Sequence, residues 1–231
     1  MKRFYEHVAI IPVDDGLSIQ LDGKLVRTPA RALLAVPTQA LADGIADEWR
    51  AQDGDIDPAA MPMTGLANAA IDHIIPNKAN FAAGIARYGE SDLLCYRADG
   101  PDSLIARQAA AWNPLLDWAR ARYDVAFAVT QGILPVAQPD ETLARLDAVV
   151  AALDPFTLAG LSALVTLSGS LVCGLAIVEG GHDPAAIWRA ADIDEAWQVE
   201  QWGEDAEAAT RTERRATEFA TAARFCALAA A

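Results

Sequence analysis

Short apolar runs separated by polar turn residues mark the first 36 positions of the chain. Asp22 and Gly23 divide two of these runs, LSIQL and KLVRT, and both residue types tolerate the positive φ angles of a two-residue hairpin turn. The sequence therefore predicts a small antiparallel β unit. Its strands are expected at residues 7–13, 17–21, 25–28 and 33–36.

After Pro37 the spacing of apolar residues changes to a helical period. Thr38 can cap a helix that runs to about Gln52, and every long segment from Met61 onward is typical of a helix. Pro114 lies inside one of them, which is therefore either two helices or one kinked helix. Two short extended pieces are expected at 125–129 and 133–136. We predict an α+β fold, with a β-rich N-terminal domain at 1–60 that holds one helix and a helical C-terminal domain at 61–231.

Residues 155–178 form a stretch of 24 residues without a charge, long enough to cross a bilayer. No Lys or Arg lies close by to set an orientation, and Ser168-Gly169-Ser170 divides the stretch into two pieces of core-helix length. A pair of buried helices is the favoured interpretation. The small residue Gly174 would let these helices approach closely.

Asp183 and Pro184 are a typical N-cap and first residue of a helix, and the pattern predicts one continuous helix over 184–203. On such a helix Trp188, Glu195 and Trp202 lie within about 40° of one another. Seven carboxylates lie between Asp192 and Glu207. Three interpretations of Glu195 stay open: an internal salt bridge, a site for a partner's cation, or a catalytic pair with Glu200 or Asp205.

Composition excludes several classes of function. A formal net charge of −14 argues against binding to nucleic acid or to anionic membranes. The three cysteines have no spacing that indicates a disulfide framework or a zinc site, and no nucleotide-binding motif occurs, so no cofactor is expected. Because the first residues are not typical of a secretory signal, we expect the protein to stay in a reducing compartment where it is made.

Eight collinear segments carry a family resemblance: RFYEHV, LDGKLVRTP, EWRAQ, MPMTGLANAAID, YGESDLLCYRA, the Q-x-x-x-W-N-P-L-L-x-W run, SGSLVCGLAI and DEAWQVEQWGEDAEA. Together they resemble the chaperone family, ATP-twelve, that acts on the alpha subunit of the ATP-synthase catalytic head in mitochondria and related bacteria. The resemblance implies a non-enzymatic chaperone that shields the alpha subunit until the beta subunit replaces it.

The resemblance also places the family's essential acidic position in the segment DIDEAWQVEQWGEDAE. We assign it to Glu195, with Asp194 and Asp205 as alternatives, and predict a partner-binding set with Trp188, Trp202 and Glu207. An organelle-targeting extension is not seen, so a bacterial cytoplasmic location is expected. Two other classes of function stay open: a hydrolase or metal-dependent enzyme that uses the acidic cluster, and a permanent structural subunit.

Overall fold

A computed structural model describes residues 1–132 and 134–231. Residue 133, the first of the predicted extended piece 133–136, lies outside the described residues. The strands are β1 (Val8–Val13), β2 (Gly16–Leu21), β3 (Lys24–Leu25), β4 (Ala35–Val36), β5 (Tyr96–Arg97) and β6 (Thr130–Gln131). The helices are α1 (Gln39–Ala51), α2 (Pro62–Ala69), α3 (Lys78–Ala86), α4 (Asp102–Tyr123), α5 (Asp140–Ala152), α6 (Pro155–Ser168), α7 (Leu171–Val178), α8 (Pro184–Ala191), α9 (Ile193–Trp202) and α10 (Ala206–Ala229).

The N-terminal strands form the predicted antiparallel sheet, in which β2 pairs with β1, β3 and β4. Asp22 and Gly23 connect β2 to β3 with φ angles of 45° and 82°. These are the left-handed values that a tight two-residue hairpin turn requires. The α+β fold class predicted from the sequence is confirmed.

The helix after the sheet begins where the sequence predicted. The Thr38 side chain accepts a hydrogen bond from the Leu41 amide at 3.1 Å, and α1 ends one residue before Gln52. Farther along, Glu48 accepts hydrogen bonds from the amides of Met63 and Thr64 at 2.7 and 2.8 Å, which satisfies two free donors at the start of α2. These hydrogen bonds join the last turn of α1 to the first turn of α2.

The chain divides into two compact units. The first comprises residues 1–78, 154–160 and 224–231, and the second comprises 79–153 and 161–223. The first contains the four-stranded sheet with α1 and α2, and the second contains most of the helices. The division at residue 60 that the sequence suggested stays a prediction.

Two ambiguous segments of the second unit are now defined. The helix with Pro114 is a single helix, α4, of 22 residues. The piece 125–129 joins no sheet, because the amide and carbonyl groups of Ala126 and Ala128 bond to the side chains of Thr142 and Gln138 at 2.9–3.0 Å. The next two residues, which form β6, pair in parallel with β5.

The uncharged stretch 155–178 forms two helices, α6 and α7, as predicted. Gly169 between them has a φ of 70°, and the Ser170 side chain caps α7 by accepting a hydrogen bond from the Cys173 amide at 3.0 Å. All residues of α7 except Val178 are buried. Within the described residues, no helix is long and apolar enough to span a membrane.

Replacing Gly174 by alanine is expected to lower the free energy of unfolding by about 1–2 kcal/mol. A Cβ atom there would lie 2.7 Å from side-chain carbons of both Leu161 and Val165 on α6. Gly84 in α3 is the matched control, because a Cβ added there meets no atom within 4 Å. Gly84→Ala should stabilise the protein by up to about 1 kcal/mol through helix propensity. Urea denaturation measures the change in the free energy of unfolding of each variant. Equal changes would show that α6 and α7 are not closely packed at Gly174.

Candidate partner-binding site

The C-terminal acidic segment does not form the continuous helix predicted over 184–203, and that prediction is wrong. The Asp183 side chain and Pro184 start α8 as expected, but the helix is interrupted at Asp192 before α9 begins. At the break, the buried Trp112 indole donates a hydrogen bond to the Ala190 carbonyl at 2.6 Å. Carbonyls in the last turn of a helix lack partners within it, and tertiary packing here supplies one.

Because of the break, Trp188 does not share a helix with Glu195 and Trp202. Its ring lies 5.5 Å from that of Phe219, and the Arg215 guanidinium lies 5.4 Å from the Trp188 ring centroid. Trp188 is half-buried in these contacts with α10. The single helix assumed for the three-residue stripe is therefore wrong, and Trp188 packs against α10. The membership of Trp188 in the partner-binding set stays a prediction.

Glu195 lies on the exposed side of α9. Val199 and Trp202 follow it at four and seven residues, on the same helix face, and their side chains are 42% and 79% exposed. We call these three residues the α9 outer face. Among the described residues Glu195 makes no hydrogen bond or ion pair, so the internal salt bridge that the sequence left open is not formed.

Asp194 is oriented differently from Glu195. It is half-buried and accepts a hydrogen bond from the Gln108 side chain of α4 at 2.7 Å. The carbonyl oxygen of the same Gln108 side chain accepts from the Ala98 amide at 2.8 Å. Gln108 therefore holds α9, α4 and the segment after β5 together.

A second side chain of α4 binds α9 by charge. The Arg107 guanidinium donates two hydrogen bonds to the Glu200 carboxylate at 2.7 and 2.8 Å, and lies 5.2 Å from the Trp197 ring centroid. The hydrogen bonds from Arg107 lower the pKa of Glu200. Glu200, one of the partners in the catalytic alternative, is thus used to hold α9.

The other acidic residues have separate surroundings. Asp205 accepts a hydrogen bond from the Ala208 amide at 2.8 Å at the start of α10, and Glu207 is exposed in the first turn of that helix. Burial raises the pKa of Asp192, and the nearby Glu195 carboxylate raises it further. In the part of the chain that the structure describes, no group of three or more His, Cys, Asp or Glu side chains could hold a metal ion.

A cleft of about 740 Å³ adjoins the α9 outer face, and we call it the α9 cleft. Asp194, Trp197 and Trp202 line it from α9, opposite the segment that follows β5. Its volume is within the range of about 300–1,000 Å³ typical of ligand sites. The structure thus brings Asp194 and Trp202 to one cleft, with Glu195 beside it.

Sequence reasoning missed Arg107, Gln108 and Trp197. Gln108 and Trp197 both lie in segments that carried the family resemblance, which is the one sequence signal that could have found them. Arg107 and Glu200 are 93 positions apart, and no local pattern indicates their pairing. These three residues fix the position of α9.

Replacing Gln108 by alanine is expected to lower the free energy of unfolding by about 2–3 kcal/mol. Gln108 is 1% exposed, and its loss leaves the Ala98 amide and the Asp194 carboxylate without their partner. Gln198→Ala is the control, because that side chain is exposed on α9 and its removal should change the free energy of unfolding little. Chemical denaturation measures both values; a loss no larger than that of the control would contradict the role of Gln108.

Comparison with known proteins places this geometry in a family. The family model described as ATP12 chaperone protein matches residues 2–120. Atp12 from Paracoccus denitrificans is 42% identical, with a TM-score of 0.94 over 99% of this chain and 98% of that one. An aspartate-to-lysine mutant of the same protein matches with the same TM-score and identity, over 99% of this chain and 97% of that one.

A mitochondrial relative extends the similarity beyond bacteria. The protein atp12 of Schizosaccharomyces pombe is 25% identical over 214 residues, which cover 87% of this chain and 74% of the relative. The family model spans more than half of the chain, and the solved structures match nearly all of it. The chain therefore belongs to the ATP12 chaperone protein family.

Proposed function

We propose that this protein is a non-enzymatic chaperone for assembly of the F-type ATP synthase head. It binds the free alpha subunit, shields the surface that the beta subunit later occupies, and acts in the bacterial cytoplasm. Membership of the ATP12 chaperone family supports the role in ATP-synthase assembly. The choice of the alpha subunit rests on the motif resemblance described above.

The α9 outer face carries this proposal. Tryptophan is highly buried on average in folded proteins, whereas Trp202 is 79% exposed and lies on one helix face with Val199 and Glu195. Tryptophan is also the residue type most enriched among those that dominate binding energy at protein interfaces. An exposed aromatic and aliphatic face with one carboxylate is suited to a transient protein partner that buries the ring and pairs the charge.

Release of the alpha subunit follows from competition in this proposal. The sequence has no nucleotide-binding motif that would indicate release driven by ATP. If the chaperone and the beta subunit bind overlapping surfaces, addition of beta shifts the equilibrium by mass action. The chaperone then returns to its free state without chemical change.

Size-exclusion chromatography of purified components tests the proposed function. The chaperone should elute with the isolated alpha subunit as a complex, reduce its aggregation as followed by light scattering, and not elute with isolated beta. Addition of beta should transfer alpha from the chaperone to an alpha–beta complex. Failure to bind alpha, or a complex that persists in saturating beta, would refute the proposal.

A further inference from the structure

The side chains that line the α9 cleft include several hydrogen-bond acceptors and, among the described residues, one cation. Its lining includes the carboxylates of Asp99 and Asp194, the amides of Gln198 and Gln201, and the indole of Trp202. Asp99, Gln198, Gln201 and Trp202 are exposed. A cleft with this lining favours a positively charged group that can also stack on an aromatic ring.

Arg97 is the one cation among the described residues that line the cleft, and two of its five N–H donors are bonded to other groups of the chain. Its Nε donates to the Leu94 carbonyl at 3.0 Å and its Nη2 donates to the Asn113 side chain at 2.9 Å. Its guanidinium lies 5.0 Å from the Trp112 ring centroid, and the residue is 8% exposed. Arg97 therefore belongs to the wall of the cleft and does not pair with Asp99 or Asp194.

The same helix already binds an arginine of this chain. Arg107 is held between the ring of Trp197 and the carboxylate of Glu200, which is an aromatic surface and a charged acceptor acting together. Trp202 provides a second such ring, and no aromatic or cationic group contacts it among the described residues. The cleft thus contains an aromatic ring and carboxylates like those of the Arg107 site, but no arginine among the described residues is bound to them.

We propose that the α9 cleft binds an arginine side chain of the client protein, with its guanidinium on the Trp202 ring and its donors directed to Asp99 and Asp194. This inference rests on the proposed function for the identity of the client. A guanidinium is planar, stacks on indole and presents five donors in a fixed fork, so it fits a cleft with several acceptors better than an ammonium does. The net charge of −14 also attracts a cationic segment from a distance.

A small probe tests the arginine site without the client. Nα-acetyl-arginine amide, titrated into the full-length protein, should shift the indole N–H resonance of Trp202 in ¹⁵N-resolved NMR spectra, with Trp202→Phe identifying the signal. The neutral isostere Nα-acetyl-citrulline amide should leave that resonance unchanged. No shift with the arginine probe, or equal shifts with the citrulline or the corresponding lysine probe, would overturn the proposal.

Client binding provides the second test. Asp99→Asn should lower the affinity for the alpha subunit about fivefold to tenfold and reduce its dependence on ionic strength. Asp147→Asn on α5 is the matched control, because Asp147 is exposed and makes no ion pair among the described residues. If wild type and Asp99→Asn bind the alpha subunit equally, the arginine site is refuted while the proposed function stands.

The remaining outcomes separate the two proposals. If the wild-type chain does not bind the alpha subunit, the proposed function fails and the client assignment fails with it, whereas the arginine probe still decides the chemistry of the cleft. Dimerisation of the chaperone that depends on concentration and is lost in Asp99→Asn would show that the arginine comes from a second copy, and would overturn the assignment to a client.

Discussion

Glu195→Lys is expected to weaken binding of the alpha subunit by about 30-fold or more, which corresponds to the loss of one interface residue worth about 2 kcal/mol. Glu195 is exposed, and it has no hydrogen-bond or ion-pair partner among the described residues. It lies on the helix face that also presents Val199 and Trp202. A partner's cation placed against Glu195 would face a like charge in the variant. Isothermal titration calorimetry with the isolated alpha subunit measures the change.

The fold should survive this charge reversal. Glu195 lies in the first turn of α9, where a lysine is disfavoured by the helix dipole by only about 0.3–1 kcal/mol, and no hydrogen bond within the described residues is lost. Circular dichroism and thermal unfolding should therefore be close to those of the wild type.

Asp147→Lys makes the same change of charge on α5 and serves as the control for general electrostatics. It should alter affinity little, since Asp147 is an exposed residue on a different helix. Equal weakening by both variants would mean that net charge, and not the α9 outer face, determines binding. Unchanged binding by Glu195→Lys would remove Glu195 from the partner site.

Trp112→Ala is expected to reduce the free energy of unfolding by about 3–5 kcal/mol. Trp112 is fully buried in α4, its indole donates to the Ala190 carbonyl, and its ring lies 5.0 Å from the Arg97 guanidinium. The substitution creates a large cavity and leaves the Ala190 carbonyl without this donor. It also removes the ring that packs against Arg97 in the wall of the α9 cleft.

Trp202→Ala is the natural control for this prediction, because it removes the same side chain from an exposed position. With Trp202 79% exposed, its loss should change stability by no more than about 0.5 kcal/mol. Urea-induced unfolding followed by circular dichroism compares the two without relying on tryptophan fluorescence. Similar losses of stability in both variants would contradict the burial of Trp112.

The two tryptophans also separate stability from function. Trp112→Ala should weaken binding of the alpha subunit through unfolding of the chaperone and through the altered wall of the α9 cleft, whereas Trp202→Ala should weaken binding in a protein that remains folded. Loss of binding without loss of stability in Trp202→Ala would identify the α9 outer face as a binding surface.

Local signals in the sequence determined much of the fold. The hairpin at Asp22 and Gly23, the cap at Thr38, the start of α8 at Asp183 and the break at Gly169 all lie where the sequence predicted them. Each depends on the backbone preference or the hydrogen bond of one or two adjacent residues, and such effects are decided within a few positions of the chain. The family resemblance, which indicated the class of function, likewise rests on short segments of the chain.

Tertiary structure alone decided the candidate site. The segment around Asp192 has no Gly or Pro that would stop a helix, and its periodicity favours one continuous helix; in the folded protein the helix breaks beside the buried Trp112, which bonds to the Ala190 carbonyl. The contacts of Arg107 and Gln108 with α9 join residues that are 93 and 86 positions apart, respectively. Periodicity describes which face a residue occupies on an isolated helix, but the helix ends and the exposed face are set by what packs against them. The sequence thus determined that Glu195 is an acidic residue among tryptophans, and only the fold placed Trp188 on a separate helix and left Glu195 exposed with Trp202.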